Sequence, residues 1–233
     1  MSRPPCQLAV ALDTTDLTQA RAWAGAVGAA ADMVKVGLEF YLRHGVAGVA
    51  AIRDAAGDCG LFLDLKLHDI PATVAGGARA VADLAPDFLT VHAAGGPAMI
   101  AAAADALPDT HIAAVTVLTS LSPDELMALG LPPAAELVPR WADVAVAAGA
   151  RALVSSALEV AVLRAAVPDT IRLITPGIRP TGAAAADQSR IATPAAAVAA
   201  GADILVVGRP ITGAVDPAEA AGAIVAEMRG VPR

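Results

Sequence analysis

Short runs rich in β-branched residues and leucine alternate along the chain with longer alanine-rich stretches of helical period. The runs predict strands at Gln7–Asp13, Asp32–Gly37, Leu61–Leu67 and Phe88–Ala93. The second half repeats the pattern at His111–Thr119, Ala152–Ala157, Arg172–Gly177 and Ile204–Gly208. Each run leads into a helical pattern, directly or through a Gly/Pro-rich loop. Eight such units in 233 residues fit a single α/β domain over residues 1–233, a (β/α)8 TIM barrel, a fold that typically takes about 250 residues. A doubly wound open sheet is the structural alternative. It usually carries a glycine fingerprint after its first strand, where this chain has Asp13-Thr14-Thr15-Asp16.

Hydrophobic residues make up 56% of the chain, but the excess is mostly alanine and charge, Gly or Pro interrupts it throughout. The longest charge-free run, Phe88–Ala104, contains His92, Gly95, Gly96 and Pro97, so no membrane span is expected. The chain starts directly into a strand pattern without a long apolar leader, which predicts a cytoplasmic protein. Net charge is −7 with no lysine or arginine cluster, and this argues against a nucleic-acid surface. Cys6 and Cys59 are isolated and the four histidines lack ligand spacing, so neither a disulfide framework nor a metal site is expected.

Leu61-Phe62-Leu63-Asp64-Leu65-Lys66-Leu67-His68-Asp69-Ile70-Pro71-Ala72-Thr73 sets charges inside an apolar strand pattern, which is costly unless they are used. On an extended strand Phe62, Asp64 and Lys66 share one face, while Leu63, Leu65 and Leu67 turn toward covering helices. Pro71 suits the first turn of a new helix, so the charges gather at the carboxyl end of a strand, where barrel enzymes do their chemistry. Asp13, Lys35, Thr119, Ser155, Thr175 and Arg209 also fall at or near predicted strand ends. Some members have plain structural readings: Asp64 and Lys66 as a buried ion pair, Asp13 and Asp69 as helix caps, Ser155 as a barrel-filling hydroxyl. His68 and His92 read as hydrogen-bonded residues at strand ends.

A second block combines Thr175-Pro176-Gly177-Ile178-Arg179-Pro180, Asp187-Gln188-Ser189-Arg190 and Val206-Val207-Gly208-Arg209-Pro210-Ile211. Glycines at adjacent strand ends let backbone N–H groups approach an anion, and the following helix starts add positive potential. Arg209 supplies the fork that a phosphate dianion favours. This is the phosphate site of many barrels, after strands seven and eight.

Together the blocks resemble the orotidine 5′-phosphate decarboxylase family. The matching motifs are Asp64-Leu65-Lys66-Leu67-His68-Asp69-Ile70-Pro71-Ala72-Thr73, the Thr175–Pro180 loop with Asp187–Arg190, and Val207-Gly208-Arg209-Pro210-Ile211. Ala11-Leu12-Asp13, Val34-Lys35-Val36-Gly37 and Val117-Leu118-Thr119-Ser120 match as well, so the likeness spans nearly the whole chain. Ala72 departs from the asparagine of many bacterial members, between functional positions. The resemblance implies decarboxylation of orotidine 5′-phosphate to UMP without cofactor or metal. It implies that Lys66 gives the proton to C6 and that Asp64 faces the departing carboxylate, with Lys35 and Asp69 completing a charge array. Asp13 and Lys35 would reach the ribose, and Thr119 or Ser120 would hold the pyrimidine amide edge. Pro176, Arg179, Gln188, Gly208 and Arg209 would surround the phosphate side under a closing Gly177–Gln188 loop. Asp69, Ile70 and Thr73 would enter from the other subunit of a homodimer.

Two other functions fit parts of the pattern. A sugar-phosphate decarboxylase or aldolase-like barrel shares Asp-x-Lys-x-x-Asp but adds a carboxylate for a divalent metal, whereas this chain has Leu61-Phe62-Leu63 before Asp64. A silent barrel that only binds a nucleotide or sugar phosphate would need Arg209 but not Lys66.

Overall fold

The computed structural model describes residues 4–180 and 192–231. Eight parallel strands, β1 (Gln7–Ala11), β2 (Met33–Gly37), β3 (Gly60–Leu67), β4 (Phe88–His92), β5 (His111–Val115), β6 (Ala152–Val154), β7 (Arg172–Thr175) and β8 (Ile204–Val207), close into a barrel in sequence order. The pairing of β1 with β8, Gln7 opposite Ile204 through Val10 opposite Val207, removes the open edge that a doubly wound sheet would leave. All eight predicted strands are present. Several are shorter at the carboxyl end than the apolar pattern suggests, because Asp13, Thr116–Thr119, Ser155–Ala157 and Gly208 leave the ladder as loops at the barrel mouth.

Side-chain alternation builds two cores. Leu61, Leu63 and Leu65 face outward into the layer shared with the helices, while Phe62 points into the barrel with Ala9, Ala11, Met33, Phe88, Ala113, Ala152, Ile174, Ile204 and Val206. Many of these inner residues are small. Phe62 and Phe88, with ring centroids 5.7 Å apart, therefore fill much of the interior. Helices start where the sequence offers caps or a pre-set φ: Asp16 accepts from Thr18 and Gln19 N–H, and Pro71, Pro97, Pro194 and Pro217 open their helices.

The amino-terminal face is closed by a repeated device. Asp32, Asp87 and Asp203 each precede a strand, and each clamps one leucine of the neighbouring strand at two points. Asp32 donates its N–H to the Leu8 carbonyl at 3.0 Å and accepts the Leu8 N–H at 2.8 Å. Asp87 does the same to Leu61 at 2.9 and 2.8 Å, and Asp203 to Leu173 at 2.8 and 2.9 Å. Asp203 also pairs with Arg164 at 3.0 Å and is only 1% exposed. Losing its carboxylate leaves the buried Leu173 N–H without its acceptor and takes from the Arg164 guanidinium its nearer carboxylate, leaving it Asp169 at 3.8 Å and the carbonyls of Val167, Pro168 and Ile171. Asp203→Ala should therefore lower unfolding free energy by about 1–3 kcal/mol, read from urea midpoints; a loss below roughly 0.5 kcal/mol would refute the clamp as a stability element.

Candidate active site

Across the sheet from these clamps, four charged side chains meet at the strands' carboxyl ends. Lys35 Nζ lies 3.1 Å from Asp13 Oδ1 and 3.2 Å from Asp64 Oδ2, and Lys66 Nζ lies 2.7 Å from Asp64 Oδ1. The order Asp13, Lys35, Asp64, Lys66 alternates in sign, so each buried charge has an opposite neighbour. Burial alone would lower the Lys35 pKa, yet the carboxylates of Asp64 and Asp13 outweigh it and hold it above the ordinary lysine value. Burial would raise the Asp64 pKa, but Lys35, Lys66 and a Thr90 hydrogen bond together hold it below the ordinary carboxylate value. Asp64 therefore stays ionised between two ammonium groups at neutral pH.

Simple strand alternation accounts for Asp64 but not for Lys66. Lys66 has φ 49°, in the left-handed region, and β3 slips its register here. Leu63 pairs with Leu89 and Leu67 with Val91, so Asp64, Leu65 and Lys66 together oppose Thr90 alone. The bulge, rather than regular alternation, presents the Lys66 ammonium beside Asp64. Gly37 leaves this pair room, since a Cβ there would lie 3.2 Å from Asp13 Oδ1 and 3.6 Å from Lys35 Nζ.

The array lines a cavity of about 520 Å3 whose walls include Asp13, Lys35, Asp64, Lys66, Thr119, Ser155, Pro176, Gly177, Arg179, Gly208 and Arg209. Phe62, Val115, Val117, Leu118, Val154, Ile174 and Val206 supply an apolar surface within it. Size and lining suit a small molecule with both an apolar and a charged part. Gly177 adopts φ 79°, which a side chain resists, and Gly208 caps the short turn Arg209–Thr212. An added Cβ on Gly208 would lie 3.8 Å from Asp13 Oδ2, so the glycine–arginine strand end adjoins the Asp13 end of the array and Lys66 forms its far end.

Asp69, Ile70, Thr73 and Ser120 are exposed and do not line this cavity. The structure thus separates Thr119 on the wall from Ser120 outside it. Gln188 lies outside the described residues. His92 stacks near His68 with ring centroids 5.2 Å apart, and burial with the nearby His68 and Lys66 charges lowers its pKa. The sequence pattern gives no sign of Thr90 or of the wall residues Val115, Val154 and Ile174; a lone threonine in an apolar strand carries no distinctive signal. Among the described residues no group of three or more His, Cys, Asp or Glu could hold a metal ion. None of their helices is long and apolar enough to cross a membrane.

Fold and site together define a (β/α)8-barrel enzyme with its charged centre at the carboxyl face. Residues 6–224 match the family model described as orotidine 5′-phosphate decarboxylase / HUMPS family. Orotidine 5′-phosphate decarboxylase of Thermobifida fusca is 60% identical over 223 residues, covering 95% of both chains. That of Frankia casuarinae is 51% identical, covering 97% of this chain and 89% of its own. The crystal structure of the Lactobacillus acidophilus decarboxylase superposes with TM-score 0.83 at 37% identity, covering 97% of this chain and 99% of that one. The Pyrococcus horikoshii decarboxylase gives 0.81 at 29%, covering 96% and 100%. The chain belongs to the orotidine 5′-phosphate decarboxylase / HUMPS family.

Proposed function

We propose that this protein decarboxylates orotidine 5′-phosphate to UMP and CO2 in pyrimidine nucleotide biosynthesis, as a cytoplasmic homodimer needing no metal or cofactor. The observation that carries the reading is the alternating array, with Lys66 at one end and the Gly208–Arg209 strand end beside the other. Relatives at 60% and 51% identity that carry this enzyme's name support it. The phosphate sits with Gly208, Arg209, Arg179, Pro176 and Gln188, the ribose hydroxyls with Asp13 and Lys35, and the pyrimidine amide edge with Thr119. Asp69, Ile70 and Thr73 of each subunit reach into the other subunit's site, a reading that accounts for their exposure here.

In the reaction the C6–carboxylate bond breaks, its electron pair stays at C6, and CO2 departs. The Lys66 ammonium stabilises the growing negative charge and then donates its proton to C6. Asp64 faces the substrate carboxylate, but repulsion is a small part of the rate. At an effective dielectric near 20, like charges about 4 Å apart repel by roughly 4 kcal/mol, whereas enzymes lower barriers by about 8–23 kcal/mol. Carbanion stabilisation and remote phosphate binding supply the larger share.

Both Asp64 oxygens already accept from ammonium groups, Lys35 on one and Lys66 on the other, which offsets the negative charge that would attract a divalent ion to this carboxylate. The deciding experiment follows loss of orotate absorbance from orotidine 5′-phosphate in excess chelator. Full activity is expected. No decarboxylation would overturn the proposal, and dependence on added magnesium would favour the metal-dependent sugar-phosphate chemistry.

A further inference from the structure

We infer that Thr90 is a positioning residue, which fixes the β3 bulge and thereby the placement of Asp64 and Lys66; the inference rests on the proposed decarboxylase reading. Thr90 lies behind the array, 1% exposed and outside the cavity lining. Its hydroxyl donates to Asp64 Oδ1 at 3.0 Å and accepts the Lys66 backbone N–H at 2.8 Å. The same side chain thus grips two of the three β3 residues that oppose it across the register slip.

Each bond does separate work. In the slipped stretch the Thr90 oxygen stands where a ladder carbonyl would accept from Lys66, at a residue whose φ of 49° is held only by its surroundings. Asp64 Oδ1 accepts from Thr90 and from Lys66 Nζ, while Oδ2 pairs with Lys35. The carboxylate is therefore oriented by three donors from three strands. Without the hydroxyl, the Lys66 N–H loses its acceptor and Asp64 loses the one donor that is not an ammonium. Displacements on the order of 1 Å in such a centre can cost about 100-fold in rate.

The test compares Thr90→Val, Thr90→Ala and Thr90→Ser with wild type on orotidine 5′-phosphate. Thr90→Val and Thr90→Ala should lose roughly 10- to 100-fold in kcat with KM changed less than about threefold, because phosphate and ribose contacts remain. Thr90→Ser should recover most of the activity. The acid limb of the kcat profile should move to higher pH in the hydroxyl-free variants, since Asp64 loses a bond that favours its ionised form. The Ser and Ala variants differ only in the hydroxyl, so this pair decides the matter even where Thr90→Val folds poorly. Equal activity in Ser and Ala, or a loss that follows melting temperature with an unmoved pH profile, would overturn the role. An inactive wild type would instead overturn the decarboxylase reading.

Discussion

Lys66→Ala is expected to lose at least about 10^4-fold in turnover while keeping its fold and its affinity for UMP. A general acid contributes about 100- to 10,000-fold, and loss of one electrostatic donor costs about 100- to 1,000-fold. Lys66 is assigned both tasks, so its removal should exceed either alone. The fold should survive, because the Lys66 side chain is 36% exposed and Asp64 keeps Lys35 as a partner at 3.2 Å. Asp64 and Lys35 are poorer probes. They are 13% and 8% exposed, and removing either leaves the other buried with one partner fewer, which mixes folding with chemistry.

The ligand chosen for the binding control matters. Without Lys66 the substrate carboxylate meets an Asp64 charge that only Lys35 offsets, so orotidine 5′-phosphate should bind more weakly for a reason unrelated to proton transfer. UMP has no carboxylate at C6. Its affinity, measured by calorimetry, should remain within about tenfold of wild type, since the phosphate contacts are intact. Turnover within about tenfold of wild type would sink the assignment of Lys66 as proton donor. Loss of UMP binding together with turnover would place Lys66 in general binding instead.

Local pattern in the sequence reaches a definite depth here. Apolar alternation was enough to locate eight strands, and the charges in Asp64–Asp69 with Gly208-Arg209 marked the end of the barrel that carries the site. Strand ends were over-extended at Leu12-Asp13, Thr116–Thr119 and Ser155–Ala157 because a residue lining a barrel mouth can be as apolar or β-branched as one inside the ladder. The route by which Lys66 reaches Asp64 was hidden, since period-two reasoning assumes no bulge and φ 49° at a lysine leaves no mark in composition. Thr90 escaped for the same reason: its role exists only where β4 passes a slipped β3. The clamps of Asp32, Asp87 and Asp203 also depend on register, which spacing along one strand cannot show.

Mixing Lys66→Ala with Asp69→Ala should restore activity that neither variant shows alone. Asp69 is exposed, its Oδ1 accepts the neighbouring Ile70 N–H at 2.6 Å, and it does not line its own chain's cavity. Beside it Ile70 is 65% exposed, a large apolar side chain at the point where an isologous contact would form. If Asp69 acts across that contact, a mixed dimer carries both lesions in one site and neither in the other. Random exchange of equal amounts makes about half of the dimers mixed, each with one intact site, so activity should approach roughly a quarter of wild type per total site. If Asp69 serves its own subunit, every site keeps one lesion and mixing restores nothing. Subunit exchange is verified separately by native mass measurement of differently tagged chains. A flat activity with exchange confirmed would rule out the shared site, and with it the need for a dimer in catalysis, while leaving the Lys66 chemistry untouched.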